Sequence, residues 1–156
     1  MPQFTTKRRV QHAAADMFDL VADVEKYPQF VPLCSAMKVR SRTEKDETTV
    51  IVAEMTVAYK MIRQTFTSRV TLDRPKLQIL VEYLDGPFSR MQNRWTFVPK
   101  SETPDERLCD VEFFIEYEFK SRTFAMLMGA MFDTAFRKFA QAFEARADKI
   151  YRRSVP

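Results

Sequence analysis

The sequence predicts an α+β domain in which a curved antiparallel β-sheet wraps one long C-terminal helix. Three observations predict it. Apolar residues recur at a helical period of about 3.6 over residues 13–30, and from residue 34 the period falls to about 2 with turn signals between the runs. A wide apolar stripe at helical spacing then runs from Ser121 to about Arg152. The 156 residues form one domain, 1–156, because the loop-like stretches Arg42 to Glu47 and Pro99 to Arg107 are too short to be linkers and no repeat interrupts the chain.

Taken in order, Phe4, Thr6, Arg8 and Val10 alternate with Thr5, Lys7 and Arg9, which gives a short first strand with one face toward solvent. Ala14, Met17, Phe18 and Val21 make a first helix of Ala13 to Ala22, and Asp23 to Phe30 makes a second short helix stopped near Pro28 and Pro32. Five or six strands follow. Ile51, Ala53, Met55 and Val57 alternate with Val52, Glu54 and Thr56; Phe66, Ser68, Val70 and Leu72 alternate with Thr65, Thr67, Arg69 and Thr71. Leu77, Ile79, Val81 and Tyr83 lead into a tight turn at Asp85-Gly86-Pro87, after which Asn93, Trp95 and Phe97 alternate with Arg94, Thr96 and Val98. In the last strand Val111, Phe113, Ile115, Tyr117 and Phe119 oppose Asp110, Glu112, Glu116 and Glu118, a half-buried antiparallel pattern. Its apolar face meets the final helix, capped by Ser121 and striped with Phe124, Leu127, Met128, Met131, Phe132, Ala135, Phe136, Phe139, Ala142 and Phe143. A sheet that grips a helix in this way often leaves a cavity.

Composition removes several chemistries. Two glycines, Gly86 and Gly129, cannot build the glycine-rich loops that cradle nucleotide phosphates. His12, Cys34 and Cys109 cannot supply a four-ligand zinc site, and the two cysteines read as free thiols of a reducing compartment. The uncharged stretches Tyr27 to Met37 and Thr123 to Phe132 are far shorter than the ~20 residues of a membrane-spanning helix. Met1-Pro2-Gln3-Phe4 leads straight into Thr, Lys and Arg without a signal core, so a cytoplasmic protein is expected. A net charge of +4 gives a mild attraction to anionic lipid or RNA, and Lys7, Arg8, Arg9, Lys38, Arg40 and Arg42 read first as solvated strand faces.

No catalytic group stands out. His12 is distant in sequence from Ser68, Ser89 and both cysteines, Glu112, Glu116 and Glu118 read as a solvated strand face, and Asp85 is explained by its turn. The stronger signal is soft apolar matter, nine Met with Met126, Met128 and Met131 among phenylalanines on the last helix. Gly129 in that stretch permits close approach of a neighbour or ligand. Trp95, the sole tryptophan, requires an indole N–H partner if buried, a backbone carbonyl more often than a ligand. Tyr27-Pro28-Gln29-Phe30-Val31-Pro32-Leu33 is stiffened by its prolines, which suits a cavity rim, a membrane-touching lip or a plain connector.

Four motifs occur in order: Tyr27-Pro28-Gln29-Phe30-Val31-Pro32-Leu33-Cys34, Thr67-Ser68-Arg69-Val70, Asp85-Gly86-Pro87-Phe88 with Asn93-Arg94-Trp95, and Ala142-Phe143-Glu144-Ala145-Arg146-Ala147. Together they resemble the coenzyme Q-binding START-domain family of the polyketide cyclase-like, helix-grip superfamily, over essentially the whole chain. The resemblance implies a helix-grip START-like fold and a non-enzymatic carrier. Its ligand would be ubiquinone (coenzyme Q) or a related polyprenyl lipid, held between sheet and long helix in support of respiratory electron transport and quinone biosynthesis. Neither a metal nor a cofactor is implied. Carried over by motif, the ligand-binding candidates are Phe30, Val31, Pro32 and Leu33 at the rim, Phe88 at the turn and Trp95 on the sheet; Met128 and Phe132 are added from periodicity. A polyprenyl tail gains ~0.8 kcal/mol per buried methylene and needs only an adaptable apolar tunnel. Transient membrane contact and a bacterial cytoplasmic setting at the inner membrane follow, since mitochondrial members carry a presequence. The same branch resembles a ribosome-association toxin that binds the large ribosomal subunit and blocks subunit joining. Salt separates the two, because RNA-driven binding weakens steeply with ionic strength. A cyclase or hydrolase reading needs an acid/base group in the cavity, and no convincing one is found.

Overall fold

The computed structural model describes residues 3–103 and 105–151. Residues 1, 2, 104 and 152–156 lie outside the described residues, and with them the expected helix end at Arg152. The chain runs β1 (Gln3–Val10), α1 (Ala14–Ala22), a 3-10 turn (Val24–Gln29), β2 (Cys34–Lys45), β3 (Thr48–Tyr59), β4 (Ile62–Asp73), β5 (Gln78–Asp85), β6 (Phe88–Pro99), β7 (Cys109–Phe119) and α2 (Arg122–Ile150). Among the described residues the strands form one antiparallel sheet in the order β1-β7-β6-β5-β4-β3-β2. The strands β2 to β7 form a meander, and β1 closes beside β7, so the edges are β1 and β2. Irregularities at Cys34/Ala36, Val39/Ser41, Thr67/Ser68 and Phe88/Arg90 bend the strands and curve the sheet toward α2.

The predicted alternation is the observed one: Ile51, Ala53 and Val57, then Phe66, Ser68, Val70 and Leu72, then Asn93, Trp95 and Phe97 all turn inward and are buried. The two short helices are each slightly shorter than expected, the second being 3-10, and two strand boundaries differ. Arg42 to Glu47 is not a loop, because Thr43 pairs with Val50 and Lys45 with Thr48, leaving only a turn in which Asp46 has φ 56°. Polar side chains do not prevent backbone pairing on a solvated edge strand. Leu77 precedes β5 with φ 52°, its N–H donating to the Arg74 carbonyl at 3.1 Å. At the β5–β6 turn Gly86 has φ 143°, and a Cβ there would stand 2.5 Å from the Phe66 Cβ. Only glycine lets that turn press against β4.

The Ser121 hydroxyl caps α2 by accepting the Phe124 N–H at 3.1 Å. The buried stripe of α2 holds Met128, Phe132, Ala135, Phe136 and Phe143. Leu127, expected in the stripe, is 71% exposed because it lies five residues, about 140° of helical turn, from Phe132. The expectation of a close neighbour at Gly129 also fails: nothing lies within 4 Å of a Cβ built there. The basic residues are mostly paired, Arg9 with Asp110 at 2.8 Å, Arg40 with Glu54 at 2.6 Å and Arg8 with Glu144. Cys34 and Cys109 are buried free thiols.

Candidate ligand cavity

α2 makes its closest backbone approach to β7, β1 and α1, on one side of the curved sheet. Over the other side a cavity of about 80 Å³ lies between helix and sheet. At about 10–15 Å³ for each water-sized group it accommodates roughly five to eight of them, the scale of a ring with a short substituent. The sheet contributes Ala53, Met55, Phe66, Ser68, Val70, Val81, Met91, Asn93, Trp95 and Ile115 to its walls, and α2 contributes Phe132, Ala135, Phe136, Phe139 and Phe143. Tyr27, Pro32, Leu33 and Met37, from the segment between α1 and β2 and the start of β2, also line the cavity. The hollow has a simple origin in side-chain size: Ala53 is directly opposite Ser68 in the β3–β4 ladder, and Ala135 also lines the cavity from the helix. Neighbours along the same strands are Met55, Phe66 and Val70.

Few polar groups face this space, and all but one have a protein partner. Asn93 and Trp95 lie two apart on β6 and therefore share a face. The Trp95 indole N–H donates to the Asn93 Oδ1 at 3.0 Å, while the Asn93 amide donates to the Phe114 carbonyl at 2.8 Å. The indole partner is thus a side chain, not the backbone carbonyl expected from frequency. Trp95 is further held edge-on by Phe113 at 4.7 Å and Phe143 at 5.0 Å. The Tyr27 hydroxyl donates to the Val21 carbonyl, and burial, reinforced by Cys34 and Asp23, pushes its pKa far above the ordinary range. The Ser68 hydroxyl is buried and has no hydrogen-bond partner among the described residues. Such an orphan costs about 1–3 kcal/mol, a cost that a bound polar group offsets.

Of the residues singled out from sequence, Pro32, Leu33, Trp95 and Phe132 line the cavity. Phe30, Val31, Phe88 and Met128 stand outside the lining. Phe30 meets Phe143 edge-on at 5.0 Å beneath the Arg146 guanidinium, and Val31 is buried beside it in the chain. Phe88 is fully buried as an aromatic junction between Phe66, Tyr83, Tyr117, Phe119 and Phe132. Met128 is a buried stripe residue. Ser68 and Asn93, which belong to the motifs but not to the ligand-binding candidates, line the cavity as well, and polar residues at inward positions of otherwise apolar strands are a legible signal. His12 is buried away from the cavity with its Nε2 2.7 Å from Asp148.

An antiparallel sheet curved around a C-terminal helix, with an apolar cavity between them, defines a START-like helix-grip domain. The chain belongs to the polyketide cyclase/dehydrase and lipid transport family, whose model matches residues 10–144. Among curated proteins it is similar to the ribosome association toxin RatA of Escherichia coli K12, 32% identical over 151 residues covering 97% of this chain and 90% of that one. It is also similar to the coenzyme Q-binding protein COQ10 homolog B, mitochondrial, of Xenopus laevis, 31% identical over 157 residues, 99% of this chain and 62% of that one. The solution structure of the 18 kDa protein CC1736 from Caulobacter crescentus superposes with TM-score 0.76 at 32% identity, covering 97% and 99% of the two chains. The Zhui aromatase/cyclase from Streptomyces sp. R1128 superposes with TM-score 0.79, covering 97% and 96%; at 15% identity that likeness is one of fold.

Proposed function

We propose that the protein is a non-enzymatic carrier of ubiquinone or a related polyprenyl lipid, with the ring in the cavity and the tail leaving past Pro32, Leu33 and Met37. The observation that carries this reading is the cavity wall, built almost wholly from aliphatic, aromatic and methionine side chains. No carboxylate, imidazole or amine is among the described lining residues, so the wall offers hydrophobic burial and little for acid/base chemistry. The coenzyme Q-binding relative supports the same class of ligand.

The exterior supports delivery at a membrane face. Five of the six exposed large apolar residues among those described, Tyr59, Met61, Leu84, Met126 and Leu127, lie at one end of the sheet: at the β3–β4 and β5–β6 turns and the start of α2. Exposed Lys60, Arg63, Lys120 and Arg122 lie at the same end, a combination suited to an anionic bilayer surface. The rim is there too, since the Leu33 carbonyl accepts the Ala58 N–H at 3.0 Å. No helix among the described residues is long and apolar enough to cross a membrane. Organic extraction of protein purified from a quinone-producing bacterium, followed by mass spectrometry, is expected to yield near-stoichiometric prenylquinone. A folded sample that holds none, and takes up none when it is added, refutes the carrier reading.

A second reading, association with the large ribosomal subunit, is favoured by the ribosome association toxins at 32–34% identity. Co-sedimentation with ribosomal subunits that falls steeply with rising salt supports it. Absence of co-sedimentation at low salt removes it.

A further inference from the structure

Within the carrier reading, on which this rests, we propose that Ser68 is the recognition point for the ligand's head: its hydroxyl bonds an oxygen of a neutral, carbonyl- or phenol-bearing ring that enters the cavity ring-first. Tyr27 and Trp95 already donate to Val21 and Asn93, and the Asn93 amide donates to Phe114, whereas the Ser68 hydroxyl has no partner at all among the described residues. Ser68 is 5% exposed and lines the cavity. A hydroxyl both donates and accepts, so it serves a quinone carbonyl and the phenolic O–H of the reduced ring alike. It lies midway along β4, directly opposite Ala53 of β3, which also lines the cavity. The absence of Lys, Arg and His from the described lining sets the charge of the ligand, because a carboxylate or phosphate head would be desolvated there without a counter-ion.

The test compares three probes of matched chain length on the full chain. Trp95 is the sole tryptophan and lines the cavity, so its emission follows titration with 2-decyl-1,4-benzoquinone; decylbenzene and decanoate are measured by displacement of that quinone. Ser68→Ala is expected to weaken the quinone about five- to tenfold, the worth of one hydrogen bond, and to leave decylbenzene within about twofold. Ser68→Thr, which keeps the hydroxyl, restores the quinone affinity. Decanoate binds neither protein measurably. Equal effects of Ser68→Ala on quinone and hydrocarbon, or decanoate binding as tightly as the quinone, overturn the assignment while leaving an apolar carrier. A folded wild type that binds neither quinone nor decylbenzene overturns the assignment and the carrier reading together.

Discussion

Replacing Ala135 by leucine tests the cavity and the placement of ligand in it with one variant. Ala135 is buried, sits on α2 where leucine is nearly as good a helix former as alanine, and lines the cavity. The substitution adds three carbons to a space that holds roughly five to eight water-sized groups, so they fit without displacing the walls. At ~0.8 kcal/mol per buried carbon the transfer gain is about 2.4 kcal/mol, and fixing the leucine rotamer returns about 0.5–1 kcal/mol of it. The net, about 1.5 kcal/mol, corresponds to a rise in Tm of roughly 3–6 °C for a chain of this length. The same change at Ala147, buried at 0% exposure in the core and outside the cavity, overpacks its surroundings and costs about 1–3 kcal/mol. Differential scanning calorimetry reads the stability, quinone extraction reads the occupancy, and subunit co-sedimentation reads ribosome association. Ala135→Leu is expected to be at least as stable as wild type and to lose its quinone. A stable variant that still carries quinone at the wild-type level refutes the placement of ligand in this cavity. A Tm that falls as far as that of Ala147→Leu refutes the cavity itself.

Other perturbations follow from single features. Gly86→Ala strains a φ of 143° and drives a Cβ toward Phe66, so it is expected to cost at least about 1–3 kcal/mol, read as a lowered urea midpoint; an unchanged midpoint shows that the turn relaxes freely. The hydrogen bond from Arg9 holds the Asp110 carboxyl below its ordinary value of 3.8. A carboxylate with a depressed folded pKa contributes stability above the unfolded value and loses it as pH falls through the folded one. Asp110→Asn should therefore show a flatter acid limb than wild type below about pH 4 in urea titrations, and parallel limbs contradict the assignment. Replacing Met126 and Leu127, both exposed, by glutamate is expected to reduce co-flotation with anionic vesicles several-fold at unchanged Tm; undiminished flotation moves the membrane contact elsewhere.

The architecture was legible because each of its elements has a strong period. The alternation through Ile51–Val57, Phe66–Leu72 and Val111–Phe119 fixed which residues turn inward, and Ser121 marked the start of α2 at the residue whose side chain caps it. Helical position around α2 was less legible: Leu127 is as apolar as its neighbours, and only the angle to Phe132 excludes it from the buried face. The cavity was legible as a likelihood of the grip and not as a place, since it arises where Ala53, Ser68 and Ala135 come together from distant parts of the chain. For the same reason Phe88, prominent in a motif, is an aromatic junction outside the lining, whereas Ser68, in another motif, carries the unpartnered hydroxyl. Size deficits add across elements, and a linear reading weighs each residue on its own strand.

The two ends of the strand order have a bearing on how the protein stays dispersed. β1 and β2 each have one hydrogen-bonding side that no strand of this sheet covers, and an uncovered side is a template for a strand from another molecule. Lys7, Arg8, Arg9, Lys38, Arg40 and Arg42 all fall on these two strands. Charged side chains along an uncovered edge, here Arg8 and Arg9 on β1 and Arg40 on β2 with their carboxylate partners, must be desolvated before another strand can pair there. Charge on both uncovered edges thus disfavours strand pairing with another molecule, a use of basic residues that composition alone does not distinguish from a nucleic-acid surface.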